Sequence, residues 1–474
     1  MEKCVQFALL STPHLKDTCM AIPSWAVDAL RRGVGGAMDR VPSETIEQLK
    51  KRAGDLFAEL PQSAARGVDS VMRSAKAGKD SLQRWTRRHV ALVTPVVNAS
   101  GCLSHPQVSG VPLSIEAIEV AAEALQSGSL TSPAAQERLA RRLAKCIDAG
   151  EFGILIASSI DGACLAIANA NRGCPLYFHR SQSLRLPSGA PIPDAFGAGA
   201  VSNDNRIHEV GSVSGIDAAD IRGIGDRAIL VAVENGSSDS VWFRSLLNSQ
   251  PAQRDLVRVA YLPVSDWKTT EPSIVNPRLP SVMATVGAVA DIVITPGDGA
   301  LGGPRCGLII GDKSRIEAIA RSSVWPALAA DVSTQAAMAM TLESITTGNA
   351  DNVPVQAMLR TAEENLRSRA DRLATRMAAE ATIRSCQITT NVATLSPTGN
   401  WSLPSRQLLL AHRDWSANDW AAKLIAEVPA VIVGIQQDSI VVDLRWIQPS
   451  DDAALVATLV GHSIVAEAPS TPPI

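Results

Sequence analysis

The segment Ala157-Ser158-Ser159-Ile160-Asp161-Gly162 puts small hydroxylated residues between an apolar run and a helical stretch. Backbone N–H groups at such a helix start, beside Ser158 and Ser159, make a natural anion or phosphate site. The same residues serve equally well as a Ser/Asp helix cap. His105, and His179 with Arg180 after it, are candidates for acid/base or binding work near neutral pH, with a hydrogen-bonded, half-buried histidine as the structural alternative. The glycine-rich run Gly297-Asp298-Gly299-Ala300-Leu301-Gly302-Gly303-Pro304-Arg305-Cys306-Gly307 implies a backbone geometry in which glycine is needed. Arg73, Lys76, Lys79, Arg84, Arg87 and Arg88 gather around Trp85 and close on His89, which reads either as a local RNA-binding patch or as a solvated helix and linker. Cysteines 4, 19, 102, 146, 164, 174, 306 and 386 form no CxxC pair and no regular spacing, so neither a zinc site nor a disulfide framework is indicated.

These residues have to be held by an alternating scaffold. Short apolar runs at Gly153–Ala157, Ala228–Glu234, Leu256–Val264, Asp291–Thr295 and Gly307–Gly311 read as strands. Helical stretches lie between and around them, among them Ser114–Leu125, Ala135–Ile147 and Gly162–Ala170. That alternation predicts a mainly parallel sheet covered by helices, an α/β fold. Residues 1–90 have helical spacing, punctuated by Pro42 and Pro61. Beyond residue 311 the spacing predicts long helices over Asp331–Thr347 and Val355–Ala379, the second with a charged face. A compact unit from Cys386 then closes on a hairpin, Ala430–Ile435 and Ser439–Leu444 around Gln436-Gln437-Asp438, with a helix over Asp451–Val460. The expected division is a helical region 1–90, a large α/β domain 91–325, connecting helices 326–385, a small α+β domain 386–465 and a loose tail 466–474.

The chain of 474 residues is 46% hydrophobic and 19% charged, which describes a folded protein and excludes general disorder. A net charge of -3 gives no global attraction to nucleic acid or to anionic lipid. No run reaches transmembrane length and the amino terminus does not read as a signal peptide, so a cytoplasmic protein with reduced cysteines is expected.

The motifs resemble those of bacterial selenocysteine synthase, L-seryl-tRNA(Sec) selenium transferase. Val97-Asn98-Ala99-Ser100-Gly101-Cys102-Leu103-Ser104-His105, followed by Pro112-Leu113-Ser114, is similar to the family's Asn-Ala-Thr-Gly...His...Pro-Leu-Ser opening. Ile192-Pro193-Asp194 resembles a second element. The run Gly297 to Gly307 resembles Gly-Asp-Lys-Leu-Leu-Gly-Gly-Pro-Gln-Ala-Gly, and Pro429 to Leu444, continuing into Arg445, resembles the closing hairpin. The likeness spans residues 93–460 and implies the fold type I pyridoxal-phosphate transferase fold: a three-layer α/β/α large domain, a small carboxy-terminal α+β domain and a helical amino-terminal region. It also implies pyridoxal phosphate as cofactor, homodimers or larger homo-oligomers, and a selenocysteine tRNA as partner. Ser158, Ser159, His179, Asp298, Gly302 and Gly303 are the cofactor-crevice positions by this resemblance.

The departures fall on the chemistry. The family lysine that forms the Schiff base is Gly299 here, and glycine has no amine with which to form an imine. Where the family reads Glu-Asp-Leu-Gly-Ser-Gly, this chain reads Ala260-Tyr261-Leu262-Pro263-Val264-Ser265, and the aspartate facing the pyridine nitrogen is assigned to Leu262, with Asp266 as an alternative four residues on. Family arginines and a lysine are replaced by Gly110, Pro191, Ala329 and Val332. Lys268 and Lys313 are the conceivable substitute amines, and both read as surface lysines. Anions stripped of water need fixed cations and N–H donors, so this loss argues against the parent reaction. The expectation is a selenocysteine synthase-like protein with no catalytic lysine and no metal, serving in binding or assembly. Two alternatives remain: an active seryl-tRNA(Sec) selenium transferase with an atypical site, and an RNA-binding module built on Arg73 to Arg88.

Overall fold

A computed structural model describes residues 93–461, apart from 128–132, 148–150, 183, 198–206, 216, 222–223, 226, 237–255 and 269–272. The expectations for residues 1–90, the basic stretch Arg73 to Arg88, Cys4, Cys19 and the tail 466–474 lie outside the described residues. The strands are β1 (Val96–Ala99), β2 (Phe152–Ala157), β3 (Leu176–His179), β4 (Ile207–Val210), β5 (Ala228–Val233), β6 (Leu256–Tyr261), β7 (Ile292–Pro296), β8 (Gly307–Asp312), β9 (Ile383–Thr394), β10 (Ser402–His412), β11 (Ala430–Gln436) and β12 (Ser439–Asp443). The helices are α1 (Ile115–Ser127), α2 (Pro133–Cys146), α3 (Ile160–Ala170), α4 (Ile192–Gly197), α5 (Val282–Thr285), α6 (Lys313–Ala320), α7 (Trp325–Leu328), α8 (Val332–Thr346), α9 (Pro354–Arg360), α10 (Glu363–Ala378), α11 (Ala417–Ile425) and α12 (Asp452–Val460).

Seven strands form one sheet in the order β2-β8-β7-β6-β5-β3-β4. All are parallel except β8, which runs against both of its neighbours. The central strands are apolar on both faces because helices cover both. Alternate residues of one strand therefore join different cores. Leu230, Leu308 and Ile310 pack with Leu143 of α2 and Met338 and Leu342 of α8. Ile229, Val231 and Ile309 pack with Ile167 of α3, Phe196 of α4 and Ile316 of α6. Burying each such side chain is worth about 1.5–3 kcal/mol.

The second sheet has the order β1-β11-β12-β10-β9. Strand β1, although it opens the described chain, pairs in parallel with β11 from Val96↔Ala430 to Ala99↔Val433. The opening motif is thus part of the carboxy-terminal sheet. Leu366 and Leu373 of α10, Trp420 and Leu424 of α11, and Leu455 and Leu459 of α12 cover this sheet with Leu408, Val431 and Val442.

One predicted helix is two. Val355–Ala379 breaks between α9 and α10, where Thr361 and Ala362 are extended (ψ 121° and 148°). The carbonyls of Met358 and Thr361 instead accept from the Arg445 guanidinium at 3.1 and 2.8 Å.

Candidate functional site

The glycine-rich run leaves β7 at Pro296 and re-enters the sheet as β8, so it loops over the end of β2 where α3 begins. Gly307 lies against this start: a Cβ there would come within 2.4 Å of the Ser159 carbonyl oxygen. The glycine-rich loop and the Ser158-Ser159 turn are therefore neighbours, and the crevice is the space between them. Gly302 and Gly303 serve packing within it. Gly302, at φ +75°, presses on Val353 and Val355, and Gly303 on the Met338 sulfur and the Gly297 carbonyl, where side chains would overlap.

Gly299 also has a left-handed backbone, φ +74°, but a Cβ there would meet only Ser104 Oγ, at 3.6 Å. The crevice has room at this position, yet the backbone has settled where L-residues with side chains rarely go. Asp298 beside it is largely enclosed; burial raises its carboxyl pKa, and the Arg305 charge only partly opposes this. Arg305 itself donates to Ser109 Oγ at 3.2 Å.

The strand that should present a carboxylate presents a phenol. Leu262 faces the core of α2 and α8, whereas Tyr261 faces that of α3. The side chain turned toward the crevice is therefore Tyr261, one residue before the assigned Leu262, because successive strand residues point to opposite faces. Tyr261 is 1% exposed, and burial, reinforced by Cys164, Asp298 and Asp161, drives its hydroxyl strongly toward the neutral form. Asp266 is occupied elsewhere, bridging to Ser281 and accepting the Trp267 N–H at 2.8 Å.

At the start of α3 two of the backbone donors are engaged within the chain. Ser159 Oγ caps the helix by accepting the Gly162 N–H at 3.0 Å. The Ser158 N–H donates to the Leu328 carbonyl at 2.8 Å, beside an Ala157–Ala329 bridge that lays the end of α7 across this turn. Ser159 thus acts as the helix cap. Neither lysine compensates. Lys313 follows Asp312, at the end of β8 remote from Gly307, while Lys268 is exposed and its charge reaches Cys146 of α2. A bound pyridoxal phosphate would need an amine, a carboxylate toward its ring nitrogen and free donors for its phosphate. The described residues do not fit covalent attachment of that cofactor.

His179, assigned to the same crevice, makes its contacts elsewhere. It is buried at the end of β3 against Gly211, with Nδ1 2.7 Å from Ser181 Oγ and Nε2 3.3 Å from Asp220 Oδ2. His105, on the opening loop, is half-buried, its pKa lowered by burial, and it accepts the Gln107 N–H at 3.3 Å. Among the described residues no His/Cys/Asp/Glu group has the makings of a metal site, and Cys102, 146, 164, 174, 306 and 386 are free. Sequence reasoning missed Tyr261 and Asp220. Strand alternation was available as a signal for the first, but nothing local marks the second.

The opening motif and the closing hairpin meet directly. Gly101, at φ +81°, sits against the Asp443 carboxylate, which accepts from Ser405 Oγ (2.7 Å), Gln407 Nε2 (2.8 Å) and the Arg445 N–H (2.9 Å). The family model for L-seryl-tRNA selenium transferase, SelA, matches residues 272–448. The chain is 24% identical over 442 residues to the L-seryl-tRNA(Sec) selenium transferase of Moorella thermoacetica, covering 87% of this chain and 88% of that one. With the Aquifex aeolicus (strain VF5) protein of the same description it is 22% identical over 451 residues, covering 88% and 96%.

Over most of its length the chain is similar to selenocysteine synthases.

Among solved structures, D-glucosaminate-6-phosphate ammonia-lyase superposes with a TM-score of 0.55 at 18% identity, over 78% of this chain and 95% of that one. The fold is that of fold type I pyridoxal-phosphate enzymes, with the single reversed strand β8 in an otherwise parallel sheet. The chain thus shares the scaffold of the proteins it resembles, and at Gly299 it offers no side-chain amine.

Proposed function

We propose that this chain has left covalent pyridoxal-phosphate catalysis and persists as a cytoplasmic, homo-oligomeric binding or assembly protein of the selenocysteine synthase family. The observation that carries this reading is Gly299, a residue without an amine and with a backbone angle of φ +74°. Several groups have changed together, which supports it: Tyr261 stands where a carboxylate is needed, and the Leu328 carbonyl holds the Ser158 N–H. A scaffold can outlive its chemistry, so membership in the family does not by itself carry the reaction. The relatives' seryl-tRNA(Sec) makes a tRNA a candidate partner for this chain. Among the described residues no helix is long and apolar enough to cross a membrane.

The test is direct. The purified protein is incubated with excess pyridoxal phosphate, reduced with borohydride and mapped by mass spectrometry. No pyridoxyl adduct beyond adventitious surface labelling is expected, and no visible absorbance of an imine. One stoichiometrically modified lysine, with turnover of serylated tRNA, would overturn the reading.

A further inference from the structure

Outside the crevice a hydroxyl, an imidazole and a carboxylate line up, and their protonation follows from the chain itself. The Ser181 backbone N–H donates to His179 Nδ1 at 3.2 Å. An N–H group can only donate, so Nδ1 carries no proton and the imidazole hydrogen sits on Nε2. There it faces Asp220 Oδ2 at 3.3 Å. Asp220 also accepts the Asp217 N–H at 2.9 Å; that bond, with the one from His179, holds its carboxyl below the usual range and keeps it ionised. Ser181 Oγ, 2.7 Å from the bare Nδ1, must then be the donor. The hydroxyl proton points at a base whose far side is fixed by a carboxylate, the relation that activates a serine nucleophile. Only glycine permits this placement of the ring, since a Cβ on Gly211 would lie 1.9 Å from Nε2.

The residues on both sides of Ser181 open onto a cavity of about 210 Å³, lined by His179, Arg180 and Gln182 and walled by Phe178, Ile192 and Val231. Ser181 is half-buried and lies between two lining residues, Arg180 and Gln182, while the imidazole is enclosed. Gln182 Oε1 accepts the Val233 N–H at 3.1 Å, which orients the amide and leaves its N–H donors for the cavity. The volume is below that of sites for drug-sized ligands, which selects a short acyl group, and Arg180 and Glu209 stand in the wall beside the apolar residues.

We propose that Ser181, His179 and Asp220 form an acyl-transfer site that hydrolyses esters of short acids, with Gln182 donating to the oxyanion. Ser181 Oγ bonds to the ester carbonyl carbon as Nδ1 takes the hydroxyl proton, and the carbonyl electrons pass to the oxyanion. Collapse breaks the bond to the alcohol oxygen, which leaves with the proton from Nδ1. Water repeats the sequence on the acyl-serine and releases the acid, so one ester and one water yield one acid and one alcohol. Of the positions assigned to the crevice by resemblance the site uses His179 alone, and its test does not involve the cofactor.

The full chain is treated with a fluorophosphonate and, separately, with p-nitrophenyl acetate and butyrate. Phosphonylation of Ser181 is expected in the digested protein. Ser181→Ala should abolish both labelling and ester turnover, and Asp220→Asn should slow both by about 10²–10⁴-fold. Gln182→Ala should lower turnover about 10²–10³-fold with less effect on KM. Thermal melting of each variant separates loss of chemistry from loss of fold. An unlabelled Ser181 in a natively melting protein, or hydrolysis undiminished in Ser181→Ala, would overturn the proposal.

Discussion

Two places where family motifs come together have fared differently. At the junction of the opening motif with the closing hairpin, Gly101, Asp443 and Arg445 keep a buried network in which the Asp443 carboxylate accepts from Ser405, Gln407 and the Arg445 N–H. The Arg445 guanidinium, brought down to about 10 by burial, ties Met358, Thr361 and Pro404 together. In the crevice, Gly302, Gly303 and Gly307 hold the loop in place, while Gly299 offers no amine, Tyr261 presents a phenol and the Leu328 carbonyl engages the Ser158 N–H. What persists is what the chain needs to fold. What differs includes the position at which an imine would form.

The contrast would be broken most forcefully at the junction. Asp443→Ala leaves the Ser405 hydroxyl, the Gln407 amide and the Arg445 N–H without their buried acceptor and should lose about 3 kcal/mol of stability in urea titration. A loss below about 1 kcal/mol would show that the network is dispensable. Next is Arg369→Met, which removes bonds to the Ile447 carbonyl (2.7 Å) and to Asp452 (3.0 Å) and should cost about 2 kcal/mol by the same measurement. The crevice is probed with Gly299→Lys. Its strained backbone should cost roughly 1–2 kcal/mol, and the new amine should still yield no stable imine absorbance with pyridoxal phosphate. If one substitution restored the cofactor spectrum, the crevice would be far less altered than Tyr261 and Leu328 indicate.

The smallest effect sharpens the pH side. Asp331 caps α8, accepting the Thr334 N–H at 2.9 Å, and its bonds to Ser333 and Thr334 hold it below the usual carboxylate range. A folded-state pKa that is depressed contributes stability above the unfolded-state value and loses it as pH falls through the folded one. Asp331→Ala should therefore cost about 1 kcal/mol at neutral pH, and the gap from the parent protein should close below roughly pH 4. A gap unchanged at low pH would mean that the cap bond is not what stabilises α8.

Much of the scaffold was legible because its signals are local. The buried run Ala228–Val233 is apolar on both faces, and the Gln436 to Asp438 turn separates two apolar strands, so β5, β11 and β12 stand where the pattern places them. The break between α9 and α10 was not legible, because its cause is Arg445, far along the chain. The crevice was half legible. Gly299 could be read directly, but the turn from Leu262 to Tyr261 depended on where β6 ends and which core each face meets. The partnership of His179 with Asp220 is made by the parallel pairing of β3 with β4 and the loop that follows, which no spacing in the sequence announces.

The parallel seam between Val96 and Ala430 sets a timetable for biosynthesis. At ~5–20 residues per second, the first described strand waits on the order of tens of seconds after leaving the ribosome before its partner exists. The seven-stranded sheet, complete by Asp312, has all its strands well before then. A nascent chain stalled before β11 would hold the crevice loop and the His179 array on a finished platform, with Val96–Ala99 still unpaired and open to chaperones.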